Sequence, residues 1–141
     1  MTRRELRECA LRVLFQFDRG RVPVAVGLAN EIREHAIPPS QEVFLRELVT
    51  GTERELKAID DLISRHLQGW RLDRIAAVDL NVLRLAIFEL LYMKDIPPRV
   101  TINEAVEIAK KFGDDESGRF VNGVLARIVK EIGRDSSQQP E

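Results

Sequence analysis

Cysteine and histidine are nearly absent from this sequence, one and two residues in 141, and that narrows the chemistry open to it. Cys9 cannot close an internal disulfide, and together with His35 and His66 it makes no recognisable zinc-ligand spacing. Glycine and proline are scarce, eight and six residues, which excludes a low-complexity or loop-dominated chain. An excess of charge of one sign is missing too. With a formal net charge of −1, any nucleic-acid binding must come from a local patch, because phosphate attraction needs clustered Lys and Arg. No glycine-rich phosphate loop is present; GTEREL, which follows Val49 and Thr50, has neither the spacing nor the lysine of one. No Ser or Cys motif marks a nucleophile, and most carboxylates sit beside Lys or Arg on solvated faces. These absences predict a protein without catalytic activity, metal or cofactor.

Long apolar runs are lacking as well. The N-terminal MTRRELRECA is charged and has no secretory h-region. The most apolar stretch, Val78 to Met93, carries Asp79, Arg84 and Glu89 and is too short to span a bilayer. A cytoplasmic protein with no membrane partner is expected.

What is there is helical periodicity. Leu6, Cys9, Ala10, Val13, Leu14 and Phe17 form one helix stripe, ended by Gly20 and Pro23. A weaker helix over Val24 to His35 stops before Pro38-Pro39, and Ser40 reads as the N-cap of the next. That segment runs to Leu67 with Phe44, Leu45, Leu48, Leu56, Ile59, Leu62 and Ile63 at helical spacing, kinked or split at Gly51. After Gly69, Trp70 reads as a core anchor and Leu72 to Ala76 as a short helix. Val78 to Met93 is apolar almost all round, as a central buried helix must be, with Asn81 and Arg84 its main polar strip. Past Pro97-Pro98, Thr101 and Glu104 have the spacing of a capping box, and the helix they open closes at Gly113. A last helix covers Ser117 to Ile132, with the acidic run Asp114, Asp115 and Glu116 placed to favour its N-terminal dipole. The expectation is an all-α fold of about seven helices, one domain over 1–134, and a disordered polar tail over 135–141.

Two places carry features beyond a core. Through Arg21 the chain holds six arginines against three acids. Arg4 and Arg7 fall on the flank and far side of the first helix, and Phe15 falls almost opposite its apolar stripe. Guanidinium groups beside an aromatic ring suit single-stranded RNA, phosphates going to the arginines and unpaired bases to the ring. A solvated charged helix whose Phe15 packs on a second layer fits the same residues. The second place is KKFGDDESGRF, Lys110 to Phe120, where Phe120 lies at the solvent boundary of its helix near Arg119 and Arg127. Helix-end packing is the competing reading for both rings, and for Phe112 it is the stronger one. A DNA-binding helix-turn-helix does not fit here. With Ala109 and Gly113 at its small positions, Arg119 and Asn122 fall where the second helix needs apolar packing.

The stretches VLRLAIFELL (Val82 to Leu91), DIPPRVTINEAVEIAKKFG (Asp95 to Gly113) and FVNGVL (Phe120 to Leu125), in this order behind an arginine-bearing first helix, resemble the NusB family. The resemblance covers almost the whole chain to about Ile132 and is weakest between Arg19 and Ser40. It implies two helical subdomains packed across each other and a transcription antitermination role without catalysis. It also implies binding of boxA RNA together with NusE, a small-subunit ribosomal protein, in a complex loaded onto RNA polymerase. Carried over by position, the RNA contacts are Arg3, Arg4, Arg7 and Phe15, then Phe112, Glu116 and Phe120, and the acidic contact to NusE is Asp79. Two departures stand out: Glu5 interrupts the basic start, and Leu80 occupies a position that is often basic in the family. Some members self-associate, so a homodimer is compatible with the resemblance. Some ribosomal RNA methyltransferases carry such a domain at their N-terminus, but a chain ending at Glu141 leaves no room for one and favours the stand-alone factor. A purely protein-binding helical adaptor is the other alternative.

Overall fold

A computed structural model describes residues 1–67, 69 and 71–134; the expectations placed on Trp70 and on the 135–141 tail lie outside the described residues. The described residues form seven helices, α1 (Arg3–Gly20), α2 (Val24–Glu34), α3 (Pro39–Arg54), α4 (Leu56–Arg65), α5 (Ala77–Tyr92), α6 (Pro98–Phe112) and α7 (Asp115–Glu131). A 3-10 turn at Leu72–Arg74 takes the place of the expected short helix between α4 and α5. Among the described residues there is no strand.

Helices α1, α2 and α3 pack on one another and form one group; α4 to α7 form the second, and α5 touches α1, α3, α4, α6 and α7. The uniformly apolar sequence of α5 suits this place, since every face meets a neighbour. Residues 79–90 of it are all buried. One continuous core runs through both groups, from Leu6 and Leu14 through Leu45, Leu48, Leu83 and Ile87 to Leu125 and Ile128.

Local rules hold at some ends and fail at others. Asp114 caps α7, its carboxylate accepting from the Ser117 amide at 2.9 Å. Ser40 is not a cap, because α3 already begins at Pro39, a residue whose fixed φ and missing N–H suit a first helical position. The long segment does divide, but at Glu55, and the Gly51–Glu55 and Glu55–Ile59 backbone bonds of 3.0 Å continue the ladder across the break. Gly51 lies inside α3 for another reason: a Cβ there would stand 2.1 Å from Cζ of Phe88. Its lack of a side chain lets α5 press an aromatic ring against the α3 backbone.

The capping box proposed for Thr101 and Glu104 does not form, because α6 starts earlier, at Pro98. Thr101 is buried inside the helix and donates to Glu89 at 3.0 Å, and Glu104 takes Arg4. The capping box of this chain is at α1. Thr2 accepts from the Glu5 amide at 3.1 Å, and the Glu5 carboxylate accepts from the Thr2 amide at 2.8 Å.

Candidate nucleic-acid interface

The three arginines at the start of α1 have different surroundings. Arg3 is exposed and lies over the Phe44 ring, 3.9 Å from its centroid, as a cation–π pair. Arg4 is also exposed and grips Glu104 with two bonds, at 3.0 and 2.6 Å. Arg7, expected on the phosphate-facing flank, is buried. Its Nε and Nη2 donate to the two oxygens of Glu89 at 2.7 and 2.8 Å, with 7% and 2% of the two side chains exposed. An acid on a helix buried all round requires a cation, and α1 delivers Arg7 to it. This burial counts against Arg7 as a phosphate contact, and its charge holds α1 on α5. Lys111 from α6 completes the seam, donating to both oxygens of Glu8 at 3.1 Å.

The aromatic residues gather elsewhere. Phe15, 39% exposed, lines an apolar groove of about 230 Å³ with Leu11, Arg12, Gln16, Val78 and Phe112. Phe112 is half-buried and reaches this groove from the end of α6. Phe120, also half-buried, lines a second groove of about 240 Å³ with Arg74, Ile75, Ala76 and Asp79. Val78 belongs to one groove and Asp79 to the next, so both flank the first turn of α5. The structure thus joins Phe15 to Phe112 and Phe120 to Asp79. Arg3 lies twelve residues before Phe15 on the same helix, roughly 18 Å away along its axis. Glu116 stands exposed on the first turn of α7 and accepts from Arg119 at 2.8 Å.

Asp79 is 9% exposed and, among the described residues, its Oδ1 has no hydrogen-bond partner. Burial pushes its carboxyl above the usual carboxylate range; the Ser117 hydroxyl opposes that rise and Asp114 adds to it. Sequence reasoning missed Arg74, which forms this groove's cationic wall, because nothing in the sequence links a connection between helices to a ring 46 positions later.

Spacing also missed one cluster. Cys9, Glu31 and His35 bring a thiol, a carboxylate and an imidazole within 4.8 Å of one another. The Arg12 guanidinium already fills that centre: it donates to Glu31 at 3.0 Å and to Cys9 Sγ at 3.3 Å, and lies 3.4 Å from His35 Nε2. Burial, with Glu31 accepting from the thiol, pushes Cys9 up to about 11. An uncharged thiol beside a guanidinium is a packing device, and the cation position is taken.

Fold and face define an all-helical binding module, its charged interior closed by ion pairs and its aromatic rings gathered round one helix start. The chain belongs to the NusB family, whose family model matches residues 4–130. The transcription antitermination protein NusB of Bacillus subtilis (strain 168) is 47% identical over 133 residues, covering 94% of this chain and 98% of that protein. The solved structure of T. maritima NusB matches with a TM-score of 0.87 at 45% identity, over 93% of this chain and 92% of that one. A chain in the crystal structure of antitermination factors NusB and NusE in complex with dsRNA matches with a TM-score of 0.84 at 31% identity, covering 92% and 96%.

Proposed function

We propose that this chain is a transcription antitermination factor that binds boxA RNA together with NusE and acts in the cytoplasm on the RNA polymerase complex. The role involves no catalytic step. The observation that carries this reading is the aromatic face around the start of α5, with Phe15 exposed beside Phe112 and with Phe120 in the groove that Asp79 lines. Exposed rings next to arginine are stacking platforms for unpaired bases. Arg3 and Arg4 add phosphate contacts at the far end of α1, and Glu116 offers acceptors to base amino groups. The relative solved with NusE and RNA supports the pairing of the two ligands. NusE docks on the middle helices, with Asp79 as the acidic contact.

Affinity for RNA without the partner is weak. The net charge is −1, Arg7 is internal, and Arg4 must leave Glu104 before it can take a phosphate. The two remaining arginines add about 0.7 each to the slope of log K against log salt, far from the six or more contacts of a strong binder. A partner with its own basic surface enlarges the contact and lowers the entropic cost of holding the RNA. Isothermal titration of boxA RNA should give markedly tighter binding to the mixture with NusE than to this protein alone; equal affinities would remove the partner from the reading. Phe15→Ala and Phe120→Ala should each cost about 1–3 kcal/mol of RNA affinity. A lower denaturation midpoint with RNA affinity intact would instead make these rings packing residues.

A further inference from the structure

The groove at Phe120 contains a cation that the ion-pair pattern of the fold leaves out. Arg74 is the last residue of the 3-10 turn, held in place by its amide bonded to Arg71 O at 3.0 Å, by Ile75 N bonded to Leu72 O at 3.3 Å, and by the buried Ile75 side chain. Its own side chain is exposed and, among the described residues, makes no ion pair and no hydrogen bond, whereas nearby Arg71 pairs with Asp73 at 2.9 Å and Arg84 with Asp60 at 2.8 Å. Asp79 lines the same groove, yet the two do not pair.

We propose that Arg74 holds the phosphate of the nucleotide whose base stacks on Phe120, so that the RNA crosses the connection between α4 and α5. This rests on the reading of Phe120 as an RNA contact given above. Four features favour a nucleotide. The groove is smaller than the roughly 300 Å³ at which pockets for whole ligands begin, which suits a single planar base. A guanidinium fork matches phosphate oxygens with two parallel donors, and an unpaired one needs no carboxylate displaced first. Two of the acids on the adjoining segments repel a phosphate little, because Asp73 pairs with Arg71 and Glu116 with Arg119. The position is also pre-organised, because the 3-10 turn is fixed by its own backbone bonds.

The test is a titration of single-stranded boxA RNA against the full chain over a salt series, for the parent, Arg74→Ala, Arg74→Lys and Phe120→Ala. Arg74→Ala should weaken binding about tenfold at low salt and lower the salt slope by about 0.7, the value of one phosphate contact. Arg74→Lys should restore most of the slope, and Phe120→Ala should weaken binding with the slope unchanged. Because Arg74 is exposed and unbonded, its denaturation midpoint should match the parent's. If Phe120→Ala weakens binding and Arg74→Ala does neither, the Arg74 assignment falls alone. If Phe120→Ala binds like the parent, the RNA reading of the ring falls and takes Arg74 with it. Loss of NusE binding with RNA binding intact in Arg74→Ala would give the groove to the protein partner and overturn the proposal.

Discussion

The seam that α1 makes with α5 and α6 and the groove beside Phe120 use the same kinds of charged residue in opposite states. In the seam each cation has its carboxylate: Arg7 with Glu89, Arg4 with Glu104, Lys111 with Glu8. In the groove, among the described residues, Asp79 keeps a buried oxygen without a donor, and Arg74 faces solvent without an acceptor. A chain whose charges nearly cancel can still present a binding face, because what matters is which charges have found each other. In the seam a charge must leave its partner before it can take a ligand, whereas among the described residues the groove has both an unpaired cation and an unpaired acceptor. Arginine count along α1 thus overstates its phosphate-binding capacity, while one arginine in a short connection is understated.

The largest effect should come from breaking the seam where it is deepest. Arg7→Ala leaves the Glu89 carboxylate buried without its partner, and removing one member of such a pair costs about 3–5 kcal/mol. Urea denaturation should show that loss, and Glu89→Ala should show one of similar size. Replacing both at once with apolar residues of similar volume should recover much of it, since desolvation of both charges is then avoided. If Arg7→Ala kept its stability and lost RNA affinity instead, the internal role given to Arg7 would be wrong and the seam would resemble the groove.

Much of the fold was legible because it rests on periodicity. The central helix expected over Val78 to Met93 is observed over Ala77–Tyr92, and its all-round apolar character correctly places it inside. Features that depend on partners distant in sequence were not legible. Thr101 and Glu104 have the local spacing of a capping box, but their hydroxyl and carboxylate serve Glu89 and Arg4. The same four-residue pattern at Thr2 and Glu5 is the box that forms, and its interruption of the arginine run hid it. Arg7 sat on the flank of a helical wheel, where a sequence cannot say whether solvent or a neighbour lies outside. One signal did exist: Glu89, an acid in the most apolar helix, announces a buried cation from elsewhere in the chain. The aromatic face was legible residue by residue, since Phe15 lies off the stripe, but its assembly around the start of α5 needed three-dimensional proximity.

A smaller effect, of opposite sign, is expected in the groove. Asp79 holds its carboxyl in a buried place that penalises the charged form, so the folded state binds its proton more tightly than the unfolded chain does. For such an acid, stability falls as pH rises from the unfolded value through the folded one, and the penalty is complete above the folded value. Asp79→Asn removes the charge in nearly the same shape and should raise stability at pH 7 by about 1 kcal/mol, the low end of the penalty for an unsatisfied buried group. The same variant should weaken NusE binding. A gain in stability paired with that loss would show that the groove trades folding free energy for recognition; a destabilised variant would mean that the carboxylate is satisfied after all and that the contrast with the seam fails.

The smallest effect returns to the seam at its exposed end. The Arg4 guanidinium, through its hydrogen bonds first and its charge second, holds the Glu104 carboxyl below the usual carboxylate range against some desolvation. The folded pKa is depressed, so the unfolded state binds the proton more readily. The stabilisation is fully present above the unfolded value, near 4.5, and is lost as pH falls through the lower folded value. With 48% of the Arg4 side chain exposed, solvent screening limits the pair to about 0.2–1 kcal/mol. Thermal denaturation of the parent and of Glu104→Gln should therefore differ slightly at pH 7 and converge as pH falls through the folded value of Glu104. Raising salt should narrow the gap at pH 7, which it would not do for the buried Arg7–Glu89 pair. Glu104→Gln also frees Arg4, and the released guanidinium should strengthen RNA binding and steepen its salt dependence toward one additional phosphate, about 0.7 in slope. An unchanged slope in that variant would show that Arg4 lies off the RNA path, leaving Arg3 as the basic contact on α1.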